Sequence, residues 1–209
     1  MSFLNFYIRP CWVAAIEEQP VNRYQKIEEE LRHRNAGWWD RIVKTIPELA
    51  ALSNTPQSNQ YHAEGDVAVH TRLAVEACTN DCEPDLLWAA LLHDVGKPLM
   101  TKVDGDNITS HGHETAGAEI AEKILEQLEM PAKHRERIVW AVRHHTFHFS
   151  WNLTSPEDAS RRQRRFIADP RFPLLLELLR VDSAASSGSS GKMKAYGLYR
   201  RLWEMVRNS

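Results

Sequence analysis

His93 and Asp94, in Leu91-Leu92-His93-Asp94-Val95-Gly96-Lys97-Pro98, place an ionisable pair at the end of an apolar run that begins at Leu86. Taking such groups out of water is costly unless they are paired or ligate a cation. Imidazole and carboxylate are usual donors to a divalent transition ion, so the doublet reads as metal-binding. A helix-end salt bridge or cap is the reading that two adjacent residues leave open. Neighbours on a helix point about 100° apart, so His93 and Asp94 face one pocket while Asp94 reaches toward a second ion. Of the ten histidines, His62, His70, His93, His111, His113, His144, His145 and His148 share the stretch with the most helical apolar patterning, and this clustering favours a site.

The elements that must position these residues are helices. Helical periodicity recurs along the chain and alternating β-branched runs are nearly absent, so the fold class is all-α. Val21, Tyr24, Ile27 and Leu31 mark a first helix, and Trp39, Ile42, Val43 and Ile46 a second that stops before Pro47. Residues 53–61 read as a polar loop. Beyond it Val67, His70, Leu73, Ala74 and Ala77 fall on one stripe, which turns His70 inward. Pro84 is placed to open the helix that reaches the doublet, and Gly96 to end it. Asp104-Gly105-Asp106-Asn107 reads as a tight turn rather than a pair of catalytic acids.

Further helices are expected from about Glu114 to Glu129, with Ile120, Ile124 and Leu128 inward, and from Pro131 to about His145, with Ile138, Val142 and His145 on one stripe and His144 one step round. Ser155-Pro156-Glu157 predicts a helix start. Pro173 opens a run of leucines that ends on the lone acid Asp182. Ser186-Ser187-Gly188-Ser189-Ser190-Gly191 reads as a flexible hinge before a last amphipathic helix with Tyr196, Tyr199, Leu202, Trp203 and Val206. Taken in order, the candidate donors are His70, His93-Asp94, His113, His144-His145 and Asp182.

Size and composition bound what this constellation serves. A chain of 209 residues suits one domain with a tail, large enough to bury a core without a structural metal. Its 26 basic and 28 acidic residues leave a formal charge of −2, so no global field recruits nucleic acid. Local basic patches remain, at Arg161-Arg162-Gln163-Arg164-Arg165 and at Lys192, Lys194, Arg200, Arg201 and Arg207, where a solvated helix face is the plainer reading. Cys11, Cys78 and Cys82 are odd in number and sparse, which fits free thiols in a reducing cytosol. No segment approaches 18 uncharged apolar residues and no signal-like N-terminus is seen, so a cytoplasmic protein with no membrane association is expected.

The donor order resembles the HD superfamily of metal-dependent phosphohydrolases. More closely, Pro47-Glu48-Leu49-Ala50-Ala51-Leu52, Pro56-Gln57, His62-Ala63-Glu64-Gly65-Asp66-Val67 with His70-Thr71, Ser110-His111-Gly112-His113-Glu114 and Val142-Arg143-His144-His145 are similar to the HD domain of bacterial tRNA nucleotidyltransferases. The resemblance spans about residues 45 to 182. It implies an HD-domain helical bundle over 46–185, a helical extension over 1–45, and the hinge with an accessory C-terminal helix over 186–209. The nucleotidyltransferase domain that precedes such HD domains is missing, so CCA addition is not expected.

By the same resemblance His70, His93, Asp94 and Asp182 hold a first metal, and Asp94 bridges to a second held by His113 and His144 or His145. His144 is taken as the ligand, and His145 as a hydrogen-bonding neighbour or substrate contact. Asp94 and Lys97 are the candidate catalytic residues, with Lys97 placed against charge developing on phosphate oxygens. His111, with His62 and His148, is expected at the rim, where His111 contacts substrate. Asp66 is either an N-cap or an orienter of His70. The donors accept manganese, iron, nickel, cobalt or zinc, as one ion or two.

The implied activity is a phosphatase or phosphodiesterase acting on nucleotides or RNA-end phosphates, 2′,3′-cyclic phosphates included. A diiron oxygenase of HD type and a non-catalytic module that binds RNA or a ligand are the alternatives. Oligomeric state is not readable.

Overall fold

The computed structural model describes residues 22–58, 62–151, 153–187 and 191–209. Ten α-helices are described: α1 (Arg23–His33), α2 (Trp38–Thr45), α3 (Val67–Glu76), α4 (Pro84–Leu92), α5 (Lys97–Met100), α6 (His113–Gln127), α7 (Ala132–His144), α8 (Arg161–Ile167), α9 (Phe172–Ala185) and α10 (Lys192–Arg207). Short 3-10 turns follow α2 and α7. The helical class read from the sequence is therefore correct, with one addition. Strands β1 (Lys102–Asp104) and β2 (Asn107–Thr109) pair antiparallel, Val103 opposite Ile108. Three-residue strands are too short to show an alternation, and only their turn was legible; Gly105 supplies its positive φ of 58°.

The helix that carries the doublet is the centre of the fold. Every residue of α4 from Asp85 to Leu92 is buried, as a helix apolar on all sides requires, and α1, α3, α7 and α9 pack around it. The C-terminal end of α4 is thus delivered to the middle of the bundle, and His93 caps it. Helix α9 lies between two apolar clusters. Leu174, Leu178 and Val181 join the main core with α1 to α4, α6 and α7, while Leu175, Leu176 and Leu179 join a second core with Phe147, Ile167, Tyr199 and Leu202.

Several local expectations need correction. Leu73 points outward, and the buried face of α3 is Val67, Ala68, His70, Thr71, Ala74 and Val75. Gly96 does not end a helix in the left-handed conformation. Its φ is −82°, and a Cβ there would lie 2.2 Å from the His113 carbonyl oxygen and 2.5 Å from the Gly117 nitrogen, so glycine is required by the approach of α6. Ser155 starts no helix: the Asp158 carboxylate accepts from Ser155 N and Thr154 Oγ1 in a turn. The helix begins instead after Ser160, whose capping box with Gln163 is a Ser-x-x-Gln signature. Helix α9 runs past Asp182 to Ala185. Cys78 and Cys82 are free thiols, while Cys11, Val21 and the hinge residues 188–190 lie outside the described residues.

Candidate metal centre

Five elements converge on two adjoining groups of donors. His70 from α3, His93 at the end of α4 and Asp182 from the last turn of α9 form one group; Asp94, His113 at the start of α6 and His145 at the end of α7 form the other. In the first, His70 Nε2 lies 2.9 Å from Asp182 Oδ1 and 3.3 Å from His93 Nε2. In the second, His113 Nε2 lies 3.0 Å from His145 Nε2 and 3.2 Å from Asp94 Oδ1. Asp94 joins them, since its other oxygen is 3.2 Å from His93 Nε2. His93 and His145 follow the last turns of their helices and Asp182 lies within one, where the carbonyl ends of the helix dipoles favour a cation.

The arrangement of the donors fits a metal. His93 Nδ1 donates to the Ala90 carbonyl at 2.9 Å, His113 Nδ1 to Ser110 at 2.7 Å and His145 Nδ1 to Val142 at 2.7 Å. Carbonyl oxygens only accept, so a proton sits on Nδ1 of each ring and Nε2 is the atom turned inward. His70 donates from Nδ1 to Glu64 Oε1 at 2.8 Å; burial would lower its pKa, but the bonds of its two nitrogens to Asp182 and Glu64 raise it. Two Nε2 atoms facing each other at 3.0 and 3.3 Å need a shared proton or a cation between them. Two donors each about 2.1 Å from one ion and at right angles stand about 3 Å apart, which matches these spacings. Burial lowers the His145 imidazole to about 4, which keeps it a neutral donor. Burial would raise the carboxyls of Asp94 and Asp182. His93 and Lys97 around the first, and Lys192 and His70 around the second, hold both well below the usual carboxylate range.

The donors open on a cleft of about 640 Å³. Lys97, the expected phosphate contact, lines it. Its Nζ donates to Gln57 Oε1 at 2.6 Å and stands 2.7 Å from Asp94 Oδ2, an oxygen that accepts no aligned hydrogen bond. His111 and His62 line the same cleft, and Ile108, Phe147 and Phe149 give it an apolar wall. His148 is set beside Phe147 and Phe149 with both ring nitrogens buried and unbonded, and burial lowers it to about 4.

One expected role changes, and one open choice is resolved. His144 does not join the donors: its ring packs on Trp140 and Phe166, 4.8 and 5.3 Å between centroids, and His145 takes the place beside His113. The cause is helical phase, because His145 continues the buried stripe of Ile138, Ala141 and Val142 whereas His144 is turned about 100° away. Asp66 is an N-cap, accepting from Val69 N and from Asn54 N, both at 3.0 Å.

The residue that orients His70 is Glu64, six places before it. One Glu64 oxygen accepts from His70 and His62, and the other from the Ser187 backbone and hydroxyl, at 2.8 to 2.9 Å. Burial would raise its carboxyl, but these donors, His70 foremost, hold it below its ordinary value. Glu64 sits in a turn with no periodicity to read, so only its proximity to His62 in sequence marked it. Lys192, which donates to Asp182 Oδ1 at 2.6 Å, was visible only as one cation in a basic stretch.

Comparison with known proteins agrees with this geometry. The family model described as "HD domain" matches residues 66–179, more than half of the chain. The chain is 35% identical over 135 residues to the Multifunctional CCA protein of Teredinibacter turnerae, covering 60% of this chain and 32% of that protein. It is 37% identical over 106 residues to the protein of the same name from Halorhodospira halophila, covering 50% of this chain and 25% of that one. With the A-adding tRNA nucleotidyltransferase of Deinococcus radiodurans it shares 34% identity over 172 residues, 78% of this chain and 37% of the relative. The chain thus spans about a quarter to two fifths of the length of these curated relatives. Donor set, bundle and family match agree: the chain belongs to the HD-domain family, a superfamily of metal-dependent phosphohydrolases.

Proposed function

We propose that this chain is a metal-dependent phosphohydrolase of the cytoplasm that acts on the phosphate of a nucleotide or of an RNA end. The observation that carries the reading is the pair of donor groups, His70-His93-Asp182 and Asp94-His113-His145, joined through Asp94 and open to a cleft lined by Lys97. The two groups would hold one or two divalent transition ions. A bound ion of this kind supplies Lewis acidity toward a phosphoryl oxygen and toward water.

The chain's own groups do the rest. The three carbonyl acceptors and Glu64 keep a proton on each Nδ1, so the imidazoles stay in the donor tautomer. Lys97, held by Gln57, presents an ammonium to phosphate oxygens, a contact worth about 2 to 4 kcal/mol when preorganised away from water. Ile108 and Phe149 offer an apolar surface to the group that bears the phosphate. That this group is a nucleoside or an RNA terminus is supported by the names of the relatives, one of them a tRNA nucleotidyltransferase.

The test is turnover by protein purified without chelator, on 3′- and 5′-phosphorylated oligonucleotides, nucleoside monophosphates and 2′,3′-cyclic nucleotides, with phosphate release or ring opening as the readout. Hydrolysis of at least one class, abolished by His93→Ala and by metal removal, is expected. A metal-loaded protein that turns over none of them, or one that consumes oxygen instead, overturns the reading.

A further inference from the structure

The phosphohydrolase reading leaves the basic face of α8 unused. Arg161, Arg162 and Arg165 are exposed and share one side of the helix, at i, i+1 and i+4. Among the described residues none of the three pairs with an acid: Asp158 accepts from Thr154 and Ser155, and Asp169 from Arg171. Local energetics disfavour them. Arg161 and Arg165 repel as like charges one turn apart, and Arg161 and Arg162 sit in a first turn that has no acid, at the positive end of the helix. The helix that displays them is nonetheless held in place. Ser160 and Gln163 form its capping box, and Arg164 donates to the carbonyls of Pro156, Glu157 and Ala159. Three unpaired guanidiniums on a rigid support suit an anionic partner.

This face adjoins the cleft. Phe166 of α8 packs on Phe147 and Trp151, with 5.9 and 5.2 Å between centroids, and Phe147 lines the cleft. Phe149, another lining residue, is 61% exposed, and the His148 ring packs against it at 4.0 Å. An aromatic ring left open to water at a cleft forgoes the burial that ordinarily stabilises a phenylalanine.

We infer that the arginine face of α8 and the ring of Phe149 bind single-stranded RNA, so that the cleft receives the end of a strand rather than a free nucleotide. The inference rests on the phosphohydrolase reading above for what happens to that end, and adds the substrate class to it. Cations that follow a backbone, together with an aromatic ring on which a base stacks, are what single-strand binding uses, because every linkage carries a charge and every base a π face. The guanidinium fork matches phosphate oxygens in pairs. With a formal charge of −2 the chain has no global field to draw in a polyanion, so a local patch must do it. A nucleoside monophosphate whose phosphate occupies the metal centre has none left for α8, whereas a strand does.

Fluorescence anisotropy of an end-labelled RNA strand of about 12 nucleotides, titrated with the full chain over a range of salt, reads the binding. The ratio of KM for a 3′-phosphorylated oligonucleotide to KM for a nucleoside 3′-monophosphate reads its use. Each phosphate contact on a single strand contributes about 0.7 to the slope of log K against log salt. Combining Arg161→Gln, Arg162→Gln and Arg165→Gln should therefore flatten that slope by about 2 and weaken binding at least about 10-fold. The KM ratio should rise by a similar factor. Phe149→Ala should weaken strand binding about 5-fold or more with the slope unchanged, and Phe149→Trp should restore it. The triple variant should melt no lower than wild type, since the cations it removes are locally unfavourable; marked destabilisation would make the arginines structural and overturn the inference. Unchanged affinity and slope in folded variants would overturn it too. So would a duplex of the same length bound as tightly, or polyglutamate or anionic phospholipid vesicles bound more tightly than RNA through the same arginines. Protein that binds the strand in this arginine-dependent way yet hydrolyses no phosphate ester would uphold the face and overturn the phosphohydrolase reading; hydrolysis with a KM ratio indifferent to the arginines would do the reverse.

Discussion

At the scale of single residues the site depends on which atom of each imidazole is free. Backbone carbonyls three residues earlier fix Nδ1–H in His93, His113 and His145, so the helix or turn that carries each ring also sets its tautomer. His70 has no such carbonyl and takes Glu64 in its place. The His144-His145 pair shows how much the order of residues alone can tell. Both are histidines at the end of one helix, and the apolar stripe of Ile138 and Val142 already pointed to His145; choosing His144 ignored a phase that was in plain view. Glu64 and Lys192 were harder, because a turn and a helix start have no period. The phase argument predicts opposite outcomes for neighbours. His145→Ala should lower affinity at the Asp94-His113 group by at least about 100-fold, more than the 10- to 100-fold typical of an outer hydrogen-bond partner. His144→Ala should keep full metal content and lose about 0.5 to 1.5 kcal/mol of stability for its aromatic contacts. Elemental analysis after dialysis, with thermal melts, distinguishes them; equal metal loss in both would refute the assignment.

At the scale of elements the doublet is placed by two close approaches. Helix α4 is buried on every side, so its end is held from all directions, and α6 reaches it by backbone contact at Gly96 and Gly117. That Gly96 is glycine was readable from the sequence, but its reason was not. Glycine after a helix most often supplies a left-handed cap, whereas here the constraint is a neighbour 17 or more residues downstream that local patterning cannot reveal. The hairpin was hidden because its strands are three residues each, whereas the start of α8 was legible locally in the Ser160-Gln163 box and was placed at Ser155 instead. Gly96→Ala tests the approach. Its Cβ would meet backbone atoms, which do not yield as a flexible side chain does, so the cost should reach or exceed the usual 1 to 3 kcal/mol of overpacking. Because His113 rides on α6, ion binding at Asp94-His113-His145 should weaken along with stability. A variant that melts within a degree of wild type and keeps its metal would show that α6 is free to move.

At the scale of the whole molecule the helical class and the order of the donors were legible, because periodicity and residue type survive without coordinates. The division of the chain was less so. Residues 1–45 read as an extension, yet in their described part Ile27, Leu31, Trp38 and Ile42 are 0 to 6% exposed and belong to the same apolar cluster as α3, α4, α6, α7 and α9. Helix α1 packs directly on α4, the element that carries the doublet. Full burial of a large apolar side chain contributes about 1.5 to 3 kcal/mol, so these four together are of the order of a domain's entire stability of about 5 to 15 kcal/mol. Removing residues 1–45 should therefore abolish cooperative unfolding and metal retention together, although no donor is deleted. Leu31→Ala, a milder form of the same change, should cost about 2 to 5 kcal/mol while leaving metal stoichiometry intact at 25 °C. Calorimetric melts of the shortened chain and of Leu31→Ala decide the matter. A 46–209 fragment that melted like the full chain would show that α4 and the donors at its end need no cover from α1 and α2.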